Sequence, residues 1–282
     1  MRYAPGLLPH RACLSLTGQD SVDFLDKLIT QSVRDQKIGT LAYGALLSPQ
    51  GKVSTDFFVW RSADGFILDV DRSRLEMLGA RLQRFRLRTR VEIQPREDLA
   101  LIAYDLATPA GAHMAGPDPR LADLGGRALI NRTHAPKPAD AAQLLRQRLE
   151  NGLPDLAHDA GLEEVFALEG LLEELNGVSF KKGCFPGQEN VSRMKRRATT
   201  RKKFCRLRLD GPGLAPGAPI TANGAELGSV RAVGDGTALA FLRLDRAMEA
   251  DGDLLAGGMA CRLDPPAWLI MPRPHEDDEA CT

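Results

Sequence analysis

The chain has 282 residues, 43% of them hydrophobic, which is enough for two or three domains with cores of their own. Its 37 basic residues balance 37 acidic ones, so no whole-molecule field points to nucleic acid or a membrane surface. No apolar run approaches a membrane span, and the opening MRYAPGLLPH reads as neither signal nor transit peptide.

In chain order, Arg11–Thr17 alternates as a strand, and Thr17 is expected to cap a helix over 20–29. Residues 43–47 and 53–60 read as strands joined by the hairpin turn Ser48-Pro49-Gln50-Gly51-Lys52. A strand over 66–70 and a helix over 73–85 follow. In 86–91, Arg86, Arg88 and Arg90 alternate with Leu87, Thr89 and Val91, a strand with one basic face. A solvated edge and an anion-binding surface are both open for that face. The pattern recurs after Leu99, which suits an α+β domain with helices on an antiparallel sheet. The Gly/Pro-rich stretch 108–120 reads as a loop, and 139–149 as a helix stopped by Gly152 and Pro154.

Charge is segregated locally. Residues 161–176 hold five glutamates and no base, whereas 193–208 hold nine bases and no acid. After Arg201, short apolar stretches at 204–209, 227–233, 237–244 and 259–263 are split by turns such as Asn223-Gly224, implying a small β-barrel. The tail 273–282 is expected to be disordered, with Cys281 in it. The five cysteines are odd in number and contain no Cys-x-x-Cys. That pattern points to a reducing compartment and away from a resident zinc or cluster site.

The densest chemistry lies in 178–197. A strand-like Val178-Ser179-Phe180 reaches Lys181 and Lys182, then the turn Gly183-Cys184-Phe185-Pro186-Gly187. Gln188 and Glu189 open a polar helix running to Arg197. A thiol beside lysines and ahead of a helix N-terminus sits in positive potential, which favours thiolate. The plain alternative for a lone cysteine is a small buried hydrophobe.

Lys182 to Glu189, Lys-Gly-Cys-Phe-Pro-Gly-Gln-Glu, resembles the Lys-Gly-Cys-Tyr-x-Gly-Gln-Glu signature of the YgfZ-type folate-binding proteins. These belong to the glycine-cleavage T-protein (aminomethyltransferase) superfamily. Phe185 departs from the usual tyrosine. The 48–52 hairpin and an Arg-x-Glu-x-Gly at Arg148–Glu150–Gly152 are similar to superfamily features as well. The resemblance implies an α+β cloverleaf: two ferredoxin-like units, 1–95 and 96–200, and a C-terminal β-barrel, 201–272, around a central pocket.

It further implies tetrahydrofolate or a derivative as cofactor, with Glu150 pairing the pterin and Asp56, Lys181, Lys182, Gln188 and Arg193 as further folate-binding candidates. Cys184 would be the functional thiol. The implied role is an accessory factor for iron–sulfur client proteins, tRNA-modifying enzymes among them, and not a free-standing enzyme. Such a protein works in the bacterial cytoplasm or the mitochondrial matrix, without membrane or nucleic acid. Two alternatives stay open: a folate-dependent aminomethyltransferase or demethylase, and an RNA-binding factor using the basic run. Thr55, standing where T-proteins carry the first of two hairpin carboxylates, counts against the former.

Overall fold

Side chains that alternate between two buried faces build the first unit. The computed structural model describes residues 5–105, 107–198, 200–250 and 254–272. After β1 (Gly6–Leu7) come β2 (Arg11–Thr17), α1 (Ser21–Asp26), β3 (Leu41–Leu47), β4 (Val53–Arg61), β5 (Gly65–Asp71), α2 (Leu75–Arg86) and β6 (Glu92–Pro95). The strands β2 to β6 form one antiparallel sheet in the order β3-β4-β5-β2-β6. Leu14, Phe57, Val59 and Leu68 face the helices, where they meet Leu25, Leu78 and Leu82. Their neighbours Cys13, Trp60 and Ile67 face the opposite way, onto a second sheet.

That second sheet contains β7 (Leu99–Tyr104), β8 (Ala112–Pro117) and β9 (Gly126–Asn131), in the order β1-β7-β9-β8. Leu99, Leu101 and Leu129 pack against Trp60 and Ile67. Beyond it, α3 (Ala141–Glu150) is capped by the Asp140 carboxylate, which accepts from the Ala142 amide at 2.9 Å. Then come the short α4 (Leu156–Asp159), an irregular apolar segment, and α5 (Gln188–Arg197).

The rest is a barrel of β10 (Lys202–Leu209), β11 (Pro219–Ala222), β12 (Ala225–Val233), β13 (Thr237–Arg243), α6 (Leu244–Met248), β14 (Leu254–Ala256) and β15 (Met259–Leu263). It closes in the order β10-β13-β12-β11-β14-β15, which leaves no free edge. Phe204, Leu207, Val230, Leu239 and Leu242 fill it.

Local chemistry overrode pattern at several points. The helix expected over 20–29 is only Ser21–Asp26, and Asp20, not Thr17, precedes it. The Asp20 carboxylate instead accepts from the Arg90 amide at 2.8 Å. The basic strand over 86–91 does not form, because Leu87 turns to φ +43° and ends α2. The stretch 108–120 is not all loop: 112–117 pairs with β9 across a bulge as an edge strand, where small residues are tolerated. Residues 178–180 form no strand, although the Ser179 amide donates to the Thr30 carbonyl at 2.9 Å. The tail 273–282 lies outside the described residues.

Candidate functional site

Where α3 and the turn into α4 cross the junction of the two sheets, they leave a cavity of about 400 Å³. That is within the usual size of small-molecule sites, roughly 300–1,000 Å³. Leu8, Leu124, Leu144, Leu145 and Leu153 supply apolar wall, and Arg11, Asp56, Arg120, Arg127, Arg148 and Asp155 supply polar wall. Strand parity aims them. Arg11 opens β2, Asp56 and Phe58 share one face of β4, and Arg127 enters from β9 of the other sheet.

Arg11 and Arg127 converge on one carboxylate, Asp69, which is fully buried. Arg11 Nε donates to Asp69 Oδ1 at 2.6 Å, and Arg127 Nε and Nη2 donate to Oδ2 at 2.9 and 2.5 Å. Arg120 forks onto Asp118 with bonds of 3.0 and 2.8 Å. All three guanidinium groups gather over the Phe58 ring, at 4.0 Å for Arg127, 4.9 Å for Arg120 and 5.6 Å for Arg11. These pairings hold the arginines still, so the wall is rigid before anything binds.

Two carboxyl groups of the wall are driven apart in acidity. Burial raises Asp56, helped by the negative charge of Asp155 and only partly offset by Arg11 and by the 2.8 Å bond from the Tyr43 hydroxyl. Burial also works on Asp155, but the hydrogen bond and charge of His158, with Arg148 behind, hold it well below the usual carboxylate range. One acid therefore retains a proton more readily while its neighbour stays anionic, the separation from which acid and base roles are made.

The second feature is the Cys184 turn. Cys184 is exposed, whereas Cys13, Cys205 and Cys261 are buried, and burial pushes Cys205 up to about 12 and Cys261 up to about 11. Gly187 adopts φ +80°, and a Cβ there would come within 2.7 Å of Gly51 Cα and of the Ser48 carbonyl oxygen. Asn190 Nδ2 donates to the Gln50 carbonyl at 2.8 Å, so the turn lies pressed against the tip of the β3–β4 hairpin. Phe185 is buried beside the Lys182 stem, 5.5 Å from Nζ.

Known proteins share the fold of this chain. A chain of glycine cleavage system aminomethyltransferase T from Bartonella henselae superimposes with a TM-score of 0.74 over 97% of this chain and 89% of its own, at 16% identity. The chain has the aminomethyltransferase fold. Residues 201–270 also match the family described as CAF17, C-terminal beta-barrel domain. In sequence, the chain is 29% identical over 237 residues to the mitochondrial iron–sulfur cluster assembly factor IBA57 homolog of Mycosarcoma maydis, covering 76% of this chain and 59% of that protein. It is 29% identical over 274 residues to mitochondrial IBA57 of Mus musculus, covering 84% and 76%. The chain thus spans between about half and three quarters of the length of its relatives, 56% in the case of the Neurospora crassa IBA57 homolog.

Within this aminomethyltransferase fold, Asp56 alone of the nominated residues lines the cavity. Glu150 ends α3 with an exposed side chain outside it, and its carbonyl accepts from Arg206. The Arg-x-Glu-x-Gly stretch does reach the cavity, through Arg148. Lys181 is exposed, while the Lys182 side chain is buried, its ammonium spent on backbone carbonyls. Gln188 starts α5, its amide donating to the Phe185 carbonyl at 3.1 Å. Arg193 is exposed and donates to Asn190 at 2.6 Å. None of the turn residues reaches the cavity wall.

Thr55 needs a different reading. It shares the helix-facing side of β4 with Phe57, whereas Asp56 shares the cavity side with Phe58. A carboxylate at position 55 would point away from the cavity, so its absence removes nothing from the wall. Arg11, Arg120, Arg127, Asp155 and His158 went unrecognised in the sequence. The one signal was Asp155 directly after the Pro154 helix stop, the N-cap residue of α4, whose carboxylate accepts from the Ala157 amide at 3.3 Å.

Proposed function

We propose that the protein is a folate-binding accessory factor for assembly or repair of iron–sulfur proteins, of the kind the YgfZ-type resemblance implies. Cys184 carries the reading: it is the exposed thiol among the described cysteines, on a fixed turn, in a chain whose relatives are named iron–sulfur cluster assembly factors. The cluster is cargo. One thiolate fills one of about four ligand positions of a cluster, so a client protein supplies the rest. The protein therefore acts on clients and not as a free-standing enzyme. It does so in the mitochondrial matrix of a eukaryote or the cytoplasm of a bacterium.

Tetrahydrofolate or a derivative occupies the cavity in this reading. The leucine wall suits a flat pterin, and the carboxyl groups of Asp56 and Asp155 offer acceptors to its amino and ring N–H groups. The arginines answer the carboxylates of the glutamyl tail. A second reading, folate-dependent aminomethyl transfer, rests on Asp56, whose raised pKa suits proton transfer. Turnover with purified glycine-cleavage partners, lost in Asp56→Asn, would establish it.

The test is a pair of measurements. Cells carrying Cys184→Ala should lose client iron–sulfur enzyme activity, while the purified variant keeps its response to tetrahydrofolate. Ligand about a hundredfold above its dissociation constant should stabilise the protein by about 2.7 kcal/mol, and Asp56→Asn should lose most of this. Full client activity in Cys184→Ala removes the thiol from the function. An unchanged melting curve removes folate.

A further inference from the structure

Two adjacent lysines precede the Cys184 turn, and they do opposite things. Lys181 is exposed, but the Lys182 side chain is only 1% exposed. Its ammonium donates to the carbonyl of Asp26, to that of Ile29 at 2.8 Å and to that of Gln31 at 3.0 Å. These carbonyls belong to the last residue of α1 and the turn that follows, where a helix leaves carbonyl groups without intrahelical partners. Three N–H bonds meet three oxygens, which exhausts the donors of an ammonium. The Asp26 carboxylate lies 3.8 Å away and is occupied elsewhere, accepting from the Val33 amide at 2.9 Å and the Ser32 hydroxyl at 3.1 Å.

An apolar side chain would fill this place at lower cost, because burying a charge is expensive even when it is well bonded. Burial brings the Lys182 ammonium down to about 8. What an ammonium adds over a methyl group is direction, and the direction defines one end of the turn. The other end is fixed independently, by Gly187 against Ser48 and Gly51 and by Asn190 on Gln50. Only Gly183, Cys184, Phe185 and Pro186 lie between the two anchors. Phe185 points inward and Cys184 outward.

We propose that Lys182 is the positioning residue of Cys184, its ammonium tethering the turn to the end of α1 so that the thiol is presented in one orientation. This deepens the reading of Cys184 as the functional thiol and can be tested apart from it. A nitroxide attached to Cys184 in a Cys281→Ser background reports the order of the turn, since the other three cysteines are buried.

The parent should give an immobilised spectrum. Lys182→Met, which keeps the stem but not the charge, should lose the immobilised component. So should Lys182→Ala, and adding n-propylammonium, which restores both missing stem and charge, should bring it back where n-propanol does not. An unchanged line shape in Lys182→Met overturns the proposal. Loss of the whole fold in that variant also counts against it, because the ammonium would then be holding the domain and not the turn. If the spectra behave as expected while Cys184→Ala cells retain full client activity, the positioning stands and the iron–sulfur role falls.

Discussion

The cavity and the Cys184 turn are both rigid, and they get there by opposite means. The cavity is held by side-chain charges drawn from distant segments: Arg11 and Arg127 each lie 58 residues from Asp69, on either side of it. The turn is held by backbone, through carbonyls gripping one lysine and a glycine pressed against another loop. A wall of paired charges is vulnerable to whatever unbalances charge and indifferent to a methyl group. The turn is vulnerable to a methyl group at Gly187 and depends on charge only where Lys182 meets its carbonyls. Substitutions that obey this division should damage one region and spare the other.

The largest effect is expected at Asp69. Asp69→Asn leaves two buried guanidinium groups sharing a neutral acceptor, and losing one partner of a buried ion pair costs about 3–5 kcal/mol. Urea denaturation should register that loss, with the spectrum of a Cys184 label unchanged wherever the protein is still folded. A loss below about 1 kcal/mol, the level of an exposed pair, would show that charge does not hold the wall.

Gly187→Ala is the mirror experiment. A left-handed backbone costs an ordinary residue roughly 1–2 kcal/mol, and the added Cβ meets Gly51 Cα at 2.7 Å. We expect a loss of about 2 kcal/mol or more, with the label at Cys184 loosened and tetrahydrofolate stabilisation intact. Weakened folate binding in this variant would join the two regions that the structure keeps apart.

The smallest effect concerns His158, whose Nδ1 lies 3.2 Å from Asp155 Oδ2. Donating Nδ1–H to the Asp155 carboxylate raises His158 above 6.5, and the same contact overcomes burial to lower Asp155 from 3.8. A raised histidine stabilises fully below 6.5 and loses its contribution as pH climbs through its folded value. A lowered aspartate stabilises above 3.8 and loses its contribution as pH falls through its own. Both contributions overlap between 3.8 and 6.5, so there His158→Gln should depress the melting temperature most. A deficit that persists undiminished into alkaline solution would mean that packing, not charge, was removed.

The same division explains what could be read from the amino-acid sequence. The turn is written within ten residues, and its Gly-Cys-Phe-Pro-Gly spacing announces both the bend and the exposed thiol. The barrel was legible because its strands are punctuated by Asn-Gly and Asp-Gly. Asp56 could be named from its hairpin. The cavity wall could not, since nothing near Arg11 or Arg127 reveals that strand pairing will bring them to Asp69. The bonding of Lys182, nominated as a folate-binding residue, was hidden for a related reason: its acceptors are backbone carbonyls about 150 residues away, which no side-chain pattern records. Glu150 followed the motif into α3, but the helix turns Arg148 to the cavity and Glu150 to solvent.

The two-residue strand β1 constrains the order of events during synthesis. Gly6 and Leu7 register with Ala103 and Ile102, and Leu7 is clasped on its other side by the Lys137 carbonyl at 3.0 Å and the Ala139 amide at 2.9 Å. At about 5–20 residues per second, β7 leaves the ribosome within about a second or two of β6, whereas 137–139 follows several seconds later. Meanwhile β2 to β6 can pair among themselves, leaving Cys13, Trp60 and Ile67 uncovered until the second sheet arrives. The nascent first unit is therefore a half-finished layer whose aromatic face stays partly bare until β9 completes the second sheet.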